Sequence, residues 1–213
     1  MDASTTTWTC AFDRAMTVER LAKRIIFLTH RLPRVLRQAV VEWQVLRSSA
    51  RVDVLGFDVR LHELGTAGAN ATLRLRESLV LIQEKDARRF ARIQKDLSHI
   101  VVKTKVGASY WILSNTCVLE LPEVVGRSPA LLALTIIHEA THARLTHAGI
   151  YPSSRMARRI EARCAAEERS FTLLLQQAGY SGTDKLLAWL DSCLNTEGTK
   201  THVSQHLTLN LLL

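Results

Sequence analysis

The sequence lacks any close pair of cysteines. Its four, Cys10, Cys117, Cys164 and Cys193, stand far apart with no CxxC, which excludes a zinc ribbon and a thioredoxin-type redox pair and leaves buried free thiols as the expectation. No apolar run approaches the roughly 18–20 residues that a membrane-spanning helix requires, and the terminal LTLNLLL is far too short. Residues 1–16, MDASTTTWTCAFDRAM, carry no basic region followed by an apolar stretch and a small-residue cleavage site. A secretory signal is therefore not expected, and a cytoplasmic location is. Aromatic residues are scarce at 6%, too few to build base-stacking platforms for nucleic acid.

What is present is a chain of 213 residues with 47% hydrophobic content, enough to bury a real core. Lys and Arg outnumber Asp and Glu by 28 to 20, for a formal charge of +8. Such an excess raises an acidic partner, nucleic acid or an anionic membrane surface. The arginines, however, are spread along helical faces without a block of about five or six like charges, so solvated helix surfaces account for them and nucleic acid is not the expected partner.

Apolar residues at helical spacing predict an amphipathic helix over Thr17–Arg31 (Val18, Leu21, Ile25, Leu28) and, after Pro33, a second from Val35 through Leu46. A basic amphipathic pair of this kind packs on a core, with peripheral membrane contact as its other use. Residues 51–61, RVDVLGFDVRL, alternate and predict one strand with a bulge at Gly56. Helical periods return over 71–82 and 86–97. The run Ile100-Val101-Val102, a turn at Val106-Gly107, and the segments 109–113 and 117–121 predict two or three short antiparallel strands. Ser128-Pro129 is a helix start, with serine as cap and proline pre-set for the first turn. That helix should run to about His147 before Gly149. A long helix is expected from about Ser154 to Ala178, and a last one over Thr183–Leu194.

The specific signal lies inside the Ser128 helix: His138-Glu139-Ala140-Thr141-His142, an HExxH pattern. Histidines four apart on a helix project from one face one turn apart, so both imidazoles can hold a single Zn²⁺ while the intervening glutamate serves as base. Roughly 2% of random shuffles of this composition would contain the pattern by chance. Its setting in a capped, largely apolar helix lowers that figure, because two histidines and a carboxylate on a buried helix need partners. A catalytic zinc needs a third protein ligand. His147 follows His142 too closely for the HExxHxxGxxH arrangement, and Leu145 stands where that arrangement has glycine; His147 suits the helix C-terminus instead. Glu161, 19 residues after His142 on the next helix, is the candidate. Glu168 falls within about 20° of it on the helical wheel and is a candidate carboxylate behind a ligating histidine. Salt bridges with Arg158 or Arg163 are the other use of these glutamates.

On HEATH and the Glu161 spacing, the segment of about residues 100–175 resembles the gluzincin class of zinc metallopeptidases. The string SPALLALTIIHEATHARL is also similar to a group of small bacterial HEATH-containing proteins. The gluzincin resemblance implies a His138, His142, Glu161 site with Glu139 as the catalytic base. Where many gluzincins carry an aspartate a turn after the third ligand, this chain has Ala165. It also implies an α+β, mostly helical, zincin-like fold: a small antiparallel sheet beside the HExxH helix, and a following antiparallel helix. Residues 1–98 would form an N-terminal helical region with a short strand, and 99–213 the metal-binding region, together one unit. The edge made by 109–113 and 117–121 would hold an extended peptide. Tyr110, Tyr151, Tyr180 or an arginine could stabilise an oxyanion, and no spacing selects among them. The expected function is a zinc-dependent metallohydrolase, a peptidase of narrow specificity acting on a peptide or protein substrate. A zincin-like zinc-binding interaction protein without turnover, or a basic helical nucleic-acid-binding protein, is the alternative.

Overall fold

The computed structural model describes residues 32–104, 108–153 and 155–195; the expected helix over Thr17–Arg31, the turn at Val106-Gly107 and the LTLNLLL terminus lie outside the described residues. Seven helices and five strands follow one another among them: α1 (Leu32–Ser48), β1 (Ala50–Val54), β2 (Phe57–Leu61), α2 (Ala67–Lys85), α3 (Ala87–Asp96), β3 (His99–Lys103), β4 (Ser109–Trp111), β5 (Thr116–Glu120), α4 (Leu121–Gly126), α5 (Pro129–His147), α6 (Ala157–Gln177) and α7 (Thr183–Asn195).

The strands form one sheet in the order β1-β2-β3-β5-β4. It is mixed, which corrects the expected antiparallel sheet: β1–β2 and β4–β5 pair antiparallel, whereas β2–β3 and β3–β5 pair parallel. The physical reason is burial on both faces. β3 and β5, HIVVK and TCVLE, are buried almost throughout, the continuous apolar reading of a parallel, two-sided core strand rather than the alternation of a half-exposed one. Residues 51–61 are likewise corrected. They make two strands joined at Leu55-Gly56, with φ +55° and +82° closing the Val54–Phe57 pair, a two-residue turn of the type whose twist matches that of the strands. Leucine is a poor residue for the left-handed region, so the sequence carries little turn signal there.

One sheet face packs on α2, α3 and α5. Leu75, Leu79 and Ile82 of α2, Ile100 and Val102 of β3, Leu119 of β5 and Ile136 of α5 are fully or almost fully buried in a common core, and Phe57 meets Phe90 edge to face at 5.5 Å. The other face carries Val101, Val118 and Trp111 against Val45 and Leu46 of α1. The buried carboxylate of Glu42 ties α1 to the β4–β5 turn by accepting from the backbone N–H of Ser114 at 3.0 Å, and it also accepts from Gln38 Nε2 of its own helix at 2.8 Å. Helix α5 is apolar on all sides and lies buried at the centre, as such a helix must. Ser128 caps it, accepting from Leu131 N–H. Arg127, itself buried, fastens its start by donating to Glu123 Oε1 at 2.7 Å and Thr135 Oγ1 at 2.8 Å. Its end is a Schellman motif: Ile150 N–H donates to Leu145 O and Gly149 N–H to Thr146 O, with Gly149 at φ +79°. That turn sends the chain back so that α6 packs along α5.

A charged cluster locks α3, α5 and α6 together. Glu167 of α6 accepts from Arg144 Nη2 at 2.8 Å and lies 3.3 Å from Arg89 Nη2 and 3.4 Å from Arg92 Nη2. Burial would raise the Glu167 carboxyl, but the hydrogen bond and charge of Arg144, with Arg89 and Arg92, hold it below the ordinary carboxylate value. Arg89 is buried and stacked over Phe171 at 5.4 Å, so loss of Glu167 strips a buried cation of one of its partners. Glu167→Ala should lower unfolding stability by about 2–4 kcal/mol, measured by urea denaturation at neutral pH. Because the folded-state pKa is depressed, this contribution is complete above the ordinary carboxylate range and fades as pH falls through it. The wild-type and Glu167→Ala curves should therefore converge in acid.

Candidate metal centre

The HExxH segment sits in the last half of α5, facing α6. His138 and His142, one turn apart, place their Nε2 atoms 3.2 Å from each other, with ring centroids at 5.0 Å. Glu161, in the first turns of α6, reaches both: Oε2 is 3.3 Å from His138 Nε2 and Oε1 is 3.5 Å from His142 Nε2. Three donors arranged tetrahedrally at 2.0–2.2 Å from a zinc ion stand about 3.3–3.6 Å apart. The cluster thus has the spacing that a divalent ion of zinc's size requires, from residues 19 positions apart in sequence.

Behind this group, on the other side of the imidazole, Glu168 Oε2 lies 3.4 Å from His138 Nδ1. Glu168 is buried. In the neutral imidazole a carboxylate at this distance favours hydrogen on Nδ1, which would leave the Nε2 lone pair for an ion. In front is a cavity of about 260 Å³ lined by His138, Glu139, His142 and Glu161 together with Ser109 and Tyr110 of the edge strand β4 and Leu145, Ile150 and Ile160.

The electrostatics are those of a site with more carboxylates than cations. Burial pushes the Glu139 carboxyl up to about 7, with His138 opposing and Glu161, Glu168 and Glu123 adding to the rise. Burial lowers the His138 imidazole, but Glu168 and Glu161 more than reverse this and hold it well above the ordinary histidine value. His142 is lowered to about 4 by its partial burial and by that neighbouring cation. Three carboxylates crowded around two imidazoles at the wall of a cavity form a negative cluster that a divalent cation would neutralise.

The structure therefore brings together four residues expected from sequence, His138, Glu139, His142 and Glu161, and sets Glu168 behind His138. His147 stays apart, its Nδ1 3.7 Å from Asp96 Oδ1 at the end of α5. Of the candidate oxyanion donors, Tyr110 is at the cavity, its hydroxyl donating to Asn115 Oδ1 at 2.8 Å. Tyr151 sits between two residues of the surrounding loop, Ile150 and Pro152, that line the cavity. Tyr180 does not line the cavity and is exposed, with Lys85 Nζ 5.6 Å from its ring centroid. One member was missed from sequence. Cys164 brings its Sγ and one ring nitrogen of each histidine within 4.8 Å of one another. Its signal was available in the i, i+3, i+7 spacing of Glu161, Cys164 and Glu168 on one helix, but a thiol among Ile160, Phe171 and Leu175 reads as core.

Comparison with known proteins returned no matching family model, no matching curated protein and no matching solved structure. Fold and site define a class by their own geometry: a mostly helical α+β protein in which an HExxH helix and the helix after it present two imidazoles and a carboxylate to one cavity.

Proposed function

We propose that this chain is a zinc-dependent hydrolase of peptide bonds, with His138, His142 and Glu161 holding the ion and Glu139 acting as base. The observation that carries the reading is the convergence of the two Nε2 atoms and the Glu161 carboxylate at 3.2–3.5 Å on the wall of a cavity that Glu139 also lines. Bound there, zinc supplies Lewis acidity, lowering the pKa of water towards neutrality and polarising a carbonyl. Glu139 accepts the proton of the attacking water and returns it to the leaving amine. In the ion-free fold burial pushes this carboxyl up and the His138 cation opposes the rise, and a carboxylate in such a place can both take up and give back a proton. Glu168 orients His138. A peptide substrate is supported by β4: it is one of the two edge strands of the sheet, and Ser109 and Tyr110 line the cavity, so main-chain hydrogen-bonding groups stand beside the cluster where an extended segment could pair with them.

A second reading, a zinc-binding module without turnover, is favoured by one observation, the thiol of Cys164 beside the histidines, since four protein donors close a zinc site. Elemental analysis of protein purified without a histidine tag tests the metal-binding part common to both. About one zinc per chain is expected in the wild type and none in His138→Ala; absence of metal in the wild type after zinc is added back overturns both readings.

A further inference from the structure

The catalytic reading uses three donors and leaves a fourth polar group of the cluster without a role. Cys164 is fully buried, lies on α6 between Glu161 and Glu168, and has its sulfur within 4.8 Å of ring nitrogens of both His138 and His142. It is absent from the cavity lining, whereas Glu161 is part of that lining and one third exposed. The two donors of α6 therefore reach the histidine pair from different sides, Glu161 from the cavity and Cys164 from the core.

We propose that Cys164 is a protein ligand of the same ion, completing a His138, His142, Glu161, Cys164 shell from the buried side. This deepens the metal-site reading and rests on it. Tetrahedral geometry with a sulfur at 2.3 Å and nitrogens at 2.0–2.1 Å sets nitrogen and sulfur about 3.5 Å apart, so the thiol and the two imidazoles, within 4.8 Å of one another, must close by about 1.3 Å at most, within reach of side-chain adjustment. Binding breaks the S–H bond, forms a sulfur–metal bond and releases one proton, with no change of oxidation state. A soft thiolate also selects zinc or cobalt over magnesium and calcium, which the carboxylates alone would accept.

The arrangement assigns different tasks to the two α6 donors. Cys164, out of contact with the cavity, holds the ion together with the histidines. Glu161, facing the cavity, is the donor that an entering substrate group would meet first. Glu161→Ala should then still bind about one ion per chain, whereas removal of Cys164 together with Glu161 leaves two histidines and no stable binding.

Cobalt(II) is the probe. The full-length wild type, loaded with Co²⁺, should show a thiolate-to-cobalt charge-transfer absorption in the near ultraviolet that disappears in Cys164→Ser and Cys164→Ala, while weaker visible bands persist. X-ray absorption on the zinc-loaded wild type, which needs no variant to fold, should show one sulfur neighbour at about 2.3 Å. If the wild type binds an ion with nitrogen and oxygen neighbours only, or if the charge-transfer band survives in both Cys164 variants, Cys164 is not a ligand and the three-donor reading stands. If the wild type binds neither cobalt nor zinc, both fall together.

Discussion

Glu139→Gln should lower peptide hydrolysis by about 10²–10⁴-fold, the range that a positioned general base contributes, and leave the zinc content at the wild-type level. Glutamine keeps the shape and size of the side chain but cannot take up a proton from water or hand one to a leaving amine. Because Glu139 is not among the donors that converge at 3.2–3.5 Å, the ion has no reason to leave. The buried position is no obstacle to the amide either. Burial raises the folded-state pKa of Glu139 to about 7, above its unfolded value, so ionising it costs the ion-free fold stability at every pH above the ordinary carboxylate range. The neutral amide escapes that cost, and ion-free Glu139→Gln should unfold at a temperature no lower than the wild type at pH 8. Activity and stability thus move independently, which separates loss of a base from loss of structure. The assay is turnover of a mixture of unstructured peptides by zinc-loaded protein, followed by mass spectrometry. Equal rates in wild type and Glu139→Gln would remove the catalytic reading and leave a zinc-binding module.

The parts of this site that could be read from sequence are those that depend on helical spacing. Ser128-Pro129 marks the start of α5, the four-residue interval sets His138 above His142, and the seven-residue interval turns Glu161 and Glu168 to one side of α6, where they meet Nε2 and Nδ1 of the same imidazole. The parts that could not be read depend on which segments pair. Alternation and apolar runs locate strands but are silent on direction, so β3 and β5 pass for antiparallel neighbours when they are parallel. The turn at Leu55-Gly56 was hidden by a leucine held at positive φ by the sheet on either side of it. Cys164 was hidden for the opposite reason: its position in an apolar stripe is real, and only the fold shows that the same stripe passes behind two histidines.

Saturating zinc should raise the thermal unfolding midpoint of the wild type by roughly 8–16 °C, and His142→Ala should lose almost all of that increment. An ion that binds only the folded state stabilises it by about 4 kcal/mol at a thousandfold excess over its dissociation constant, and each kcal/mol is worth about 2–4 °C in a chain of this size. The fold gives the effect its leverage. The donors lie on α5 and α6, which follow one another in the chain through the Gly149 turn and a loop, so one ion adds a clamp between the central core helix and its neighbour across 19 residues of chain. The unfolded chain holds those donors at no fixed distance and binds far more weakly. Removing His142 takes away one imidazole while keeping Arg144–Glu167 and the Schellman turn intact, so the ion-free variant should stay within about 1 kcal/mol of the ion-free wild type. Calorimetry with added zinc and with chelator, on wild type, His142→Ala and Glu139→Gln, gives the comparison. The zinc-dependent increment should survive in Glu139→Gln and vanish in His142→Ala, and an equal increment in all three would mean that zinc binds elsewhere.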